Sequence, residues 1–327
     1  MRKEDILELM KGYGISQLDS CREIDSSNGS DYRLNIIIDK KYVLRINNAV
    51  MSEERLCSIS RLCERYRSMG ILAPSLYKNA DGRFLSACEG HVCYLSDYLD
   101  YDTADSLQAE GDRRTVQDEV LKSIGAFAAR FTGVDLSDIR SMWSLIDLAP
   151  LDTDVDEKQE NLDTLVRALR RTGEDELAGQ VERFNAEKRE KIKAVYKRLP
   201  RCVIQGDLND ANLLVSQGHF VGLIDFNMAG TEVNVNHFCC ETNSGLEEDD
   251  FDTKSAQELY AEWIGEQERE LGIILKEYEL NELEKGVIAD YRSICLISQY
   301  PNVMAYIELM KRDKPKALEI IRMILKR

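Results

Sequence analysis

The chain has 327 residues, and its hydrophobic fraction of 43% is sufficient for one large or two moderate folded domains. Its net charge of −16 disfavours nucleic acid as a main partner, because a protein that binds a phosphate backbone needs the opposite sign. No run approaches the ~18 to 20 apolar residues of a membrane span, and the first segment lacks the apolar centre of a signal peptide, so we predict a cytoplasmic protein with no membrane partner.

The cysteines and histidines disfavour a disulfide framework and a histidine-rich metal centre. Nine cysteines are scattered and never spaced as CxxC, which predicts reduced thiols, mostly in the core. The adjacent pair Cys239 and Cys240 leaves one alternative open, a redox or soft-metal site. Only three histidines occur, and no two of them lie at ligand spacing.

The N-terminal part is predicted to combine strands with one main helix. After a first amphipathic helix, residues 21–48 have the pattern of an antiparallel meander with a charged turn, "DKK". A helix follows, with Ser52 as its N-cap and Gly70 closing it. Residues 82–99 return to strand character.

From about Ser106 the pattern becomes mainly helical. Residues 119–131 form the first clear amphipathic run, residues 152–198 are charge-rich helix, and residues 253–325 predict three or four further helices. We therefore predict an α+β protein with a small lobe over residues 1–96, a connector over residues 97–102 and a larger, mainly helical lobe over residues 103–327 with a short β insert.

The β insert, "CVIQGDLNDANLLVSQGHFVGLIDF" at residues 202–226, carries polar side chains at the ends of apolar strands. Because the second and third of its strands form a predicted hairpin, Asp207, Asn212 and Asp225 can converge on one point. Such a set suits Mg²⁺ and phosphate chemistry: two oxygen ligands hold the metal, and a further carboxylate orients a hydroxyl and accepts its proton.

Each of these residues also has an ordinary structural explanation. Asp207 is a candidate turn cap and Asn212 a candidate turn residue, whereas an unpaired carboxylate at Asp225 would be costly after an apolar strand. The ordered triple favours the functional interpretation. Asn209 and Asn227 are candidates for supporting polar groups.

The same stretch resembles the aminoglycoside phosphotransferase and choline kinase-like family, relatives of the protein kinases. The family pattern is roughly H-G-D-L-x-x-x-N followed by a strand that ends I-D-F or I-D-W. Together with "YVLRIN" and "MGILAPSLY", the resemblance extends from about residue 20 to residue 235. It implies a two-lobed, protein-kinase-like fold with a small antiparallel sheet and one main helix in the nucleotide-binding N-terminal lobe.

The resemblance also assigns roles to the triple. Asp207 is similar to the catalytic base, and Asn212 and Asp225 are similar to the metal ligands. The implied cofactors are Mg²⁺ and ATP, or another nucleoside triphosphate. They would lie in the groove between the lobes, with the acceptor beside the C-terminal helices.

Further residues are implied as nucleotide contacts. Arg45 resembles the basic residue of the third strand that contacts the phosphates. Glu54, with Glu53 as the alternative, resembles the helix glutamate that pairs with it. Gly29 lies in "SSNGSDY", at the place of the nucleotide loop.

Three consecutive residues, Asp97, Tyr98 and Leu99, fall where the family has its adenine-binding hinge. The chain departs from the family pattern in three places: Gln205 replaces the usual histidine, Arg45 replaces the usual lysine, and "DFNMAGTEVNVNHF" from Asp225 onward lacks the later "DLA" of the family. These differences concern loop support and phosphate geometry, and they leave the acid–amide–acid core intact.

We therefore predict a phosphotransferase that transfers the γ-phosphate of ATP to a hydroxyl of a small metabolite. The acidic excess over residues 241–270 is either a solvated face or a wall that favours an amine-bearing acceptor, such as an aminoglycoside, choline or an amino alcohol. The alternative function is a nucleotide-binding pseudokinase that acts as a regulatory or interaction module. A protein serine/threonine kinase is disfavoured because no A-P-E motif follows Asp225, and the oligomeric state stays open.

Overall fold

The structure, a computed structural model, divides into two compact units. It describes residues 2–29, 32–48, 51–88, 90–146, 156–242 and 245–327. Unit 1 comprises Met1–Val116 and Asp207–Asn227, and unit 2 comprises Gln117–Gly206 and Met228–Arg327. The lobe and connector boundaries expected from the sequence stay a prediction.

The described elements follow one another in the order expected of an α+β chain. The strands are β1 Cys21–Asp25, β2 Arg33–Ile38, β3 Tyr42–Asn47, β4 Leu76–Tyr77, β5 Ser86–Cys88, β6 His91–Asp97, β7 Asp102–Thr103, β8 Arg201–Ile204, β9 Leu213–Ser216, β10 His219–Leu223 and β11 Gly230–Val233. The helices are α1 Lys3–Lys11, α2 Glu53–Arg67, α3 Glu110–Phe131, α4 Glu157–Arg171, α5 Asp175–Val195, α6 Asn234–Glu241, α7 Ala256–Glu277, α8 Glu282–Ser298, α9 Tyr300–Arg312 and α10 Lys314–Ile324.

Unit 1 is built on an antiparallel sheet with the strand order β1-β2-β3-β6-β4, and β5 also pairs with β6. Side chains of β2 alternate between buried and partly exposed, as period-2 geometry requires. Its buried face joins α1 in one apolar core that includes Ile6, Ile36 and Leu44. The meander predicted over residues 21–48 is confirmed.

Helix α2 begins and ends as its sequence predicts. The Ser52 side chain accepts a hydrogen bond from the backbone N–H of Arg55 at 3.2 Å, which satisfies one of the free donors of the first turn. Gly70, with φ of +82°, lies just beyond the last turn in the left-handed conformation that favours glycine. The helix therefore has a defined start, which fixes the position of Arg55.

Strands β9 and β10 form the predicted hairpin, and the turn between them places Gln217 and Gly218 at positive φ. Beyond the hairpin, β10 pairs with the segment after α2: Leu72 N–H donates to Val221 O at 2.9 Å. A Cβ at Gly222 would lie 2.5 Å from Leu72 Cβ, so only glycine permits this approach. These bonds join the hairpin to the N-terminal part of unit 1.

Unit 2 is mainly helical in its described part. A two-stranded antiparallel pair joins β8 with β11, a strand that the sequence pattern does not predict. Helices α4, α5 and α7 to α10 pack around one apolar core, which includes Leu165, Val181, Trp263, Ile297, Tyr306 and Ile321. The sequence predicts three or four further helices from residue 253 onward, and the structure has four, α7 to α10.

The charge-rich stretch over residues 152–198 is two helices rather than one. Gly173, with φ of +83°, lies in the turn between α4 and α5, where a continuous helix is not possible. Residues 152–155 of that stretch lie outside the described residues. In the part of the chain that the structure describes, no helix has the length and apolar character needed to cross a membrane.

Candidate active site

The loop between β8 and β9 bonds Asp207 to two side-chain amides. Asn212 Nδ2 donates to both the backbone O and the Oδ2 of Asp207, each at 2.9 Å. Asn209 Nδ2 donates to Asp207 Oδ1 at 2.7 Å, and its Oδ1 accepts from Ala211 N–H at 3.0 Å. Both carboxylate oxygens of Asp207 are therefore oriented by amide donors of its own loop.

Asp225 comes to the same place from the end of β10. The N–H of Ile224 donates to the backbone O of Asn212 at 3.0 Å, so the residue before Asp225 lies directly against the residue that holds Asp207. Asp225 has φ of +52°, a left-handed conformation that is uncommon outside glycine and is often found at functional sites. The structure thus brings together Asp207, Asn212 and Asp225, as their spacing predicts.

Arg45 faces Asp225 from strand β3. Its Nη1 lies 3.7 Å from Asp225 Oδ2, and the two side chains are 17% and 37% exposed. Burial opposes the charge of Arg45, but the facing Tyr94 and Asp225 raise the pKa of its guanidinium above the usual value. A permanent cation therefore lies beside the acid–amide–acid set.

The donor set fits a hard divalent cation. The Asn212 amide nitrogen is committed to Asp207, which leaves its amide oxygen as the group available to a cation. Together with Asp225 it offers two oxygen ligands, the number that proteins commonly contribute to Mg²⁺ beside phosphate and water. In the described ranges, no group of three or more His, Cys, Asp or Glu side chains is arranged to hold a metal.

Glu53 and Glu54, the two glutamates at the start of α2, form no ion pair with Arg45 among the described residues. Glu54 is exposed. Among the described residues, Arg45 instead forms an ion pair with Asp225. The Glu53 carboxylate instead accepts from the backbone N–H groups of Phe84 at 3.0 Å and Leu85 at 2.9 Å. The pairing expected for Glu54, or for Glu53, stays a prediction that this geometry does not support.

The expected nucleotide loop is only partly described. Gly29 is exposed and has φ of +59°, with open space around the position of a Cβ. Ser30 and Asp31 of "SSNGSDY" lie outside the described residues. The role expected for Gly29 stays a prediction.

The segment expected to bind adenine already makes contacts within unit 1. The Asp97 carboxylate accepts from Ser75 N–H at 2.8 Å and from Tyr77 Oη at 2.5 Å. The N–H of Tyr98 donates to Lys41 O at 2.8 Å. A nucleobase at this segment would therefore use backbone groups other than the Tyr98 N–H, and the roles of Asp97, Tyr98 and Leu99 stay predictions.

The residue before Asp207 is fixed within unit 2. Gly206 has φ of +83°, and a Cβ there would lie 2.4 Å from Met228 O, so its backbone requires glycine for two reasons. Trp143 Nε1 donates to Gly206 O at 2.7 Å. Gln205, which replaces the family histidine, is 1% exposed.

Two supporting residues, Tyr94 and Arg55, have no signal of their own in the sequence. Tyr94 Oη donates to Asn227 Oδ1 at 2.9 Å, and Arg55 Nη2 donates to Asn227 O. Tyr94 lies opposite Arg45 across strands β3 and β6, a pairing that follows only from the strand register. The strand register is therefore the information that identifies Tyr94 as a neighbour of Arg45.

Solved structures of two kinases match this fold over the whole chain. Spectinomycin phosphotransferase APH(9)-Ia, in complex with ADP and spectinomycin, is 11% identical with a TM-score of 0.52, over 100% of this chain and 97% of that one. Amicoumacin kinase hAmiN, in complex with AMP-PNP, Ca²⁺ and Ami, is 13% identical with a TM-score of 0.52, over 100% of this chain and 92% of that one. At such identities the likeness concerns the fold, and it confirms the predicted kinase-like phosphotransferase fold.

The family comparison agrees with the fold and defines the class of protein. The profile of the phosphotransferase enzyme family (APH) matches residues 22–232. The chain therefore belongs to the phosphotransferase enzyme family, and the predicted enzyme class, a small-molecule kinase, is confirmed. No curated protein sequence matches the chain significantly.

Proposed function

We propose that this enzyme transfers the γ-phosphoryl group of ATP, or of another nucleoside triphosphate, to a hydroxyl of a small metabolite. The observation that carries the proposal is the bonding of Asn212 to Asp207, with Asp225 and Arg45 beside them. Phosphoryl transfer requires alignment of an acceptor hydroxyl and neutralisation of phosphate charge, and these groups supply both.

Asp207 is the residue that orients the acceptor hydroxyl and accepts its proton. The amides of Asn209 and Asn212 fix the direction of its carboxylate through bonds of 2.7 and 2.9 Å. A general base acts efficiently only when its oxygen is held within hydrogen-bond reach of the proton that it removes. The loop therefore supplies the orientation, and the carboxylate supplies the chemistry.

Asn212 and Asp225 would hold Mg²⁺ through their side-chain oxygens. When bound, Mg²⁺ neutralises phosphate charge and fixes the direction of the γ-phosphate. Arg45 would contact the nucleotide phosphates, because a guanidinium can donate to two phosphate oxygens at once. The contact between Arg45 and Asp225 is loose enough, at 3.7 Å, for both groups to take a ligand as partner.

The finer proposal is an acceptor that carries an amine as well as a hydroxyl. The chain has a net charge of −16 and eleven acidic against two basic side chains from Glu241 to Glu270, which favours a cationic ligand. The two compared kinases carry spectinomycin and amicoumacin in their names, so antibiotics of this kind belong in a first acceptor panel.

The test is phosphate transfer from γ-labelled ATP with Mg²⁺ to hydroxylated amines and to neutral alcohols of similar size. We expect transfer to at least one acceptor, and the loss of transfer in Asp207→Asn. Asp210→Asn is the matched control, because Asp210 is an exposed carboxylate of the same loop.

Transfer that survives in Asp207→Asn would contradict the assigned base. If no acceptor is phosphorylated, and ATP binding is the same in Asp225→Ala as in the wild type, the regulatory nucleotide-binding module is the better explanation.

A further inference from the structure

Asn227, two residues after Asp225, is held by both its side chain and its backbone. Its Oδ1 accepts from Tyr94 Oη at 2.9 Å, and its carbonyl oxygen accepts from Arg55 Nη2. Its own N–H donates to Asp225 Oδ1 at 3.3 Å. One residue therefore connects the sheet and helix α2 of unit 1 with the carboxylate of Asp225.

The sheet places Tyr94 on the same face as Arg45. The two residues are directly opposite each other in the antiparallel register of β3 and β6, so their side chains leave one face of the sheet. Arg45 reaches Asp225, and Tyr94 reaches Asn227. Both ends of the Asp225–Asn227 turn are thus contacted from neighbouring positions of one surface.

The hydroxyl of Tyr94 is a dependable donor. The residue is 5% exposed, and burial raises the pKa of its phenol above the usual range. The hydroxyl therefore remains protonated at every pH at which the enzyme would work. Loss of the hydrogen bond between Tyr94 Oη and Asn227 would cost free energy, because it removes a partner from a buried polar group.

Helix α2 contributes two further contacts to the same turn. Arg55 lies in its first turn, whose start is fixed by the Ser52 cap. Tyr66 packs edge-on against Phe226, with ring centroids 5.8 Å apart. The left-handed conformation of Asp225 costs free energy, and surroundings of this kind are what allow it to persist.

We propose that Tyr94 and Arg55 are positioning residues for Asp225: by holding Asn227, they fix the turn that directs the Asp225 carboxylate to the metal and nucleotide. The inference rests on the proposed function. Neither residue bonds to the reacting groups, and the contact of each with this turn runs through Asn227.

The experiment measures how strongly Mg²⁺ increases the affinity for a non-hydrolysable ATP analogue, by calorimetry with and without the metal. In Tyr94→Phe we expect this increase to be about three- to ten-fold smaller, the effect of one lost hydrogen bond, while the metal-free affinity stays unchanged. Asn227→Ala should give the same result. The double variant should lose little more than either single variant, because both remove one bond.

Matched variants separate positioning from general stability. Tyr13→Phe removes a tyrosine hydroxyl that bonds Phe84 O and Ser86 Oγ elsewhere in unit 1, and it should leave the Mg²⁺ effect at the wild-type value. Arg55→Met should reduce the Mg²⁺ effect, and Arg55→Lys should restore part of it by returning a donor. Lower melting temperature with an unchanged Mg²⁺ effect would mean a structural role only, and the inference would be wrong.

The wild type and Asp225→Ala serve as the reference pair. If the wild type fails to bind the analogue with Mg²⁺, or if Asp225→Ala keeps the full Mg²⁺ effect, both the proposed function and this inference fail. If the reference pair behaves as expected but Tyr94→Phe and Asn227→Ala match the wild type, the inference alone fails. Should Tyr94→Phe not fold, Asn227→Ala decides the question by the same measurement.

Discussion

Two arginine–aspartate pairs, one in each unit, differ in how closely their side chains are joined. In unit 2, Arg189 forms a two-pronged pair with Asp156 at 2.6 and 2.8 Å, and the side chains are only 11% and 7% exposed. In unit 1, Arg45 and Asp225 lie 3.7 Å apart and are 17% and 37% exposed. The same two residue types thus form one closed contact and one open contact.

Each residue of the closed pair makes a further hydrogen bond within the protein. Asp156 also accepts from Gln159 N–H at 3.0 Å as the N-cap of α4, and Arg189 donates to Leu145 O at 3.0 Å. A buried pair of this kind cannot exchange partners without a large loss of free energy. The open pair can, because the Arg45 and Asp225 atoms of its ion pair lie 3.7 Å apart and the Asp225 side chain is 37% exposed, so a ligand can reach the carboxylate.

The largest effect expected is on catalysis in unit 1. Asp207→Asn should lower kcat by about 10²- to 10⁴-fold, the usual contribution of a positioned base. The melting temperature should fall only modestly, because the carboxamide has one acceptor oxygen for the two amide donors of Asn209 and Asn212 and so loses one of these bonds. Steady-state kinetics measures kcat, and thermal unfolding measures the melting temperature. A similar loss of kcat in Asp210→Asn would contradict the specific role of Asp207.

In unit 2, a variant that breaks the closed pair should lower the stability of the protein. Arg189→Met is expected to lower the free energy of unfolding by about 3 to 5 kcal/mol, because it leaves the Asp156 carboxylate buried without its cation. Denaturant titration measures this loss. Arg170→Met is the control, since Arg170 pairs with Glu182 at the surface and such pairs contribute about 0 to 1 kcal/mol. Equal losses in the two variants would contradict the account.

A glycine comparison tests the backbone beside Asp207. Gly206→Ala should destabilise the protein by roughly 1 to 3 kcal/mol or more, because the new Cβ meets Met228 O as well as a positive φ. Gly173 also has φ of +83°, but its Cβ would meet nothing within 4 Å. Gly173→Ala should therefore cost less, and the difference in unfolding free energy measures the close approach alone.

The smallest effect concerns pH and the buried histidine of unit 2. Burial lowers the pKa of His237 to about 3, below its ordinary value of 6.5. Between these pH values the unfolded chain binds a proton at His237 that the folded chain does not. The contribution of the neutral His237 to the free energy of unfolding is therefore complete above pH 6.5 and falls by about 1.4 kcal/mol per pH unit below it.

Unfolding free energies from pH 7.5 to 5 should therefore fall less steeply in His237→Gln than in the wild type. His219→Gln, at an exposed histidine, should leave the slope unchanged. Equal slopes of unfolding free energy against pH in the wild type and His237→Gln would contradict the lowered pKa of His237.

The acid–amide–acid set could be predicted because its information is local. Strand, turn and hairpin signals lie within residues 202–226, and the hairpin returns the chain so that Asp225 follows the strand that pairs with the one after Asn212. The Ser52 cap and the meander are predictable for the same reason, since each depends on neighbours within a few residues.

The supporting contacts could not be predicted because they depend on register and on distant segments. Tyr94 is 133 residues from Asn227, and Arg55 is 172 residues from it. The expected Glu54 contact shows the same difficulty: helix phase decides which glutamate faces the sheet, and here Glu53 turns to the backbone of residues 84 and 85. Pairing across such distances is a property of the packed fold.

Whether Asp225 and Asn212 hold a metal ion beside the nucleotide can be tested by counting bound metal ions. Mn²⁺, a substitute for Mg²⁺ that free-ion electron paramagnetic resonance detects, is titrated into the protein with a non-hydrolysable ATP analogue. We expect one Mn²⁺ bound per chain only when the analogue is present, and loss of that binding in Asp225→Ala and Asn212→Ala with the fold intact. Undiminished nucleotide-dependent Mn²⁺ binding in both variants would contradict this assignment of the metal ligands.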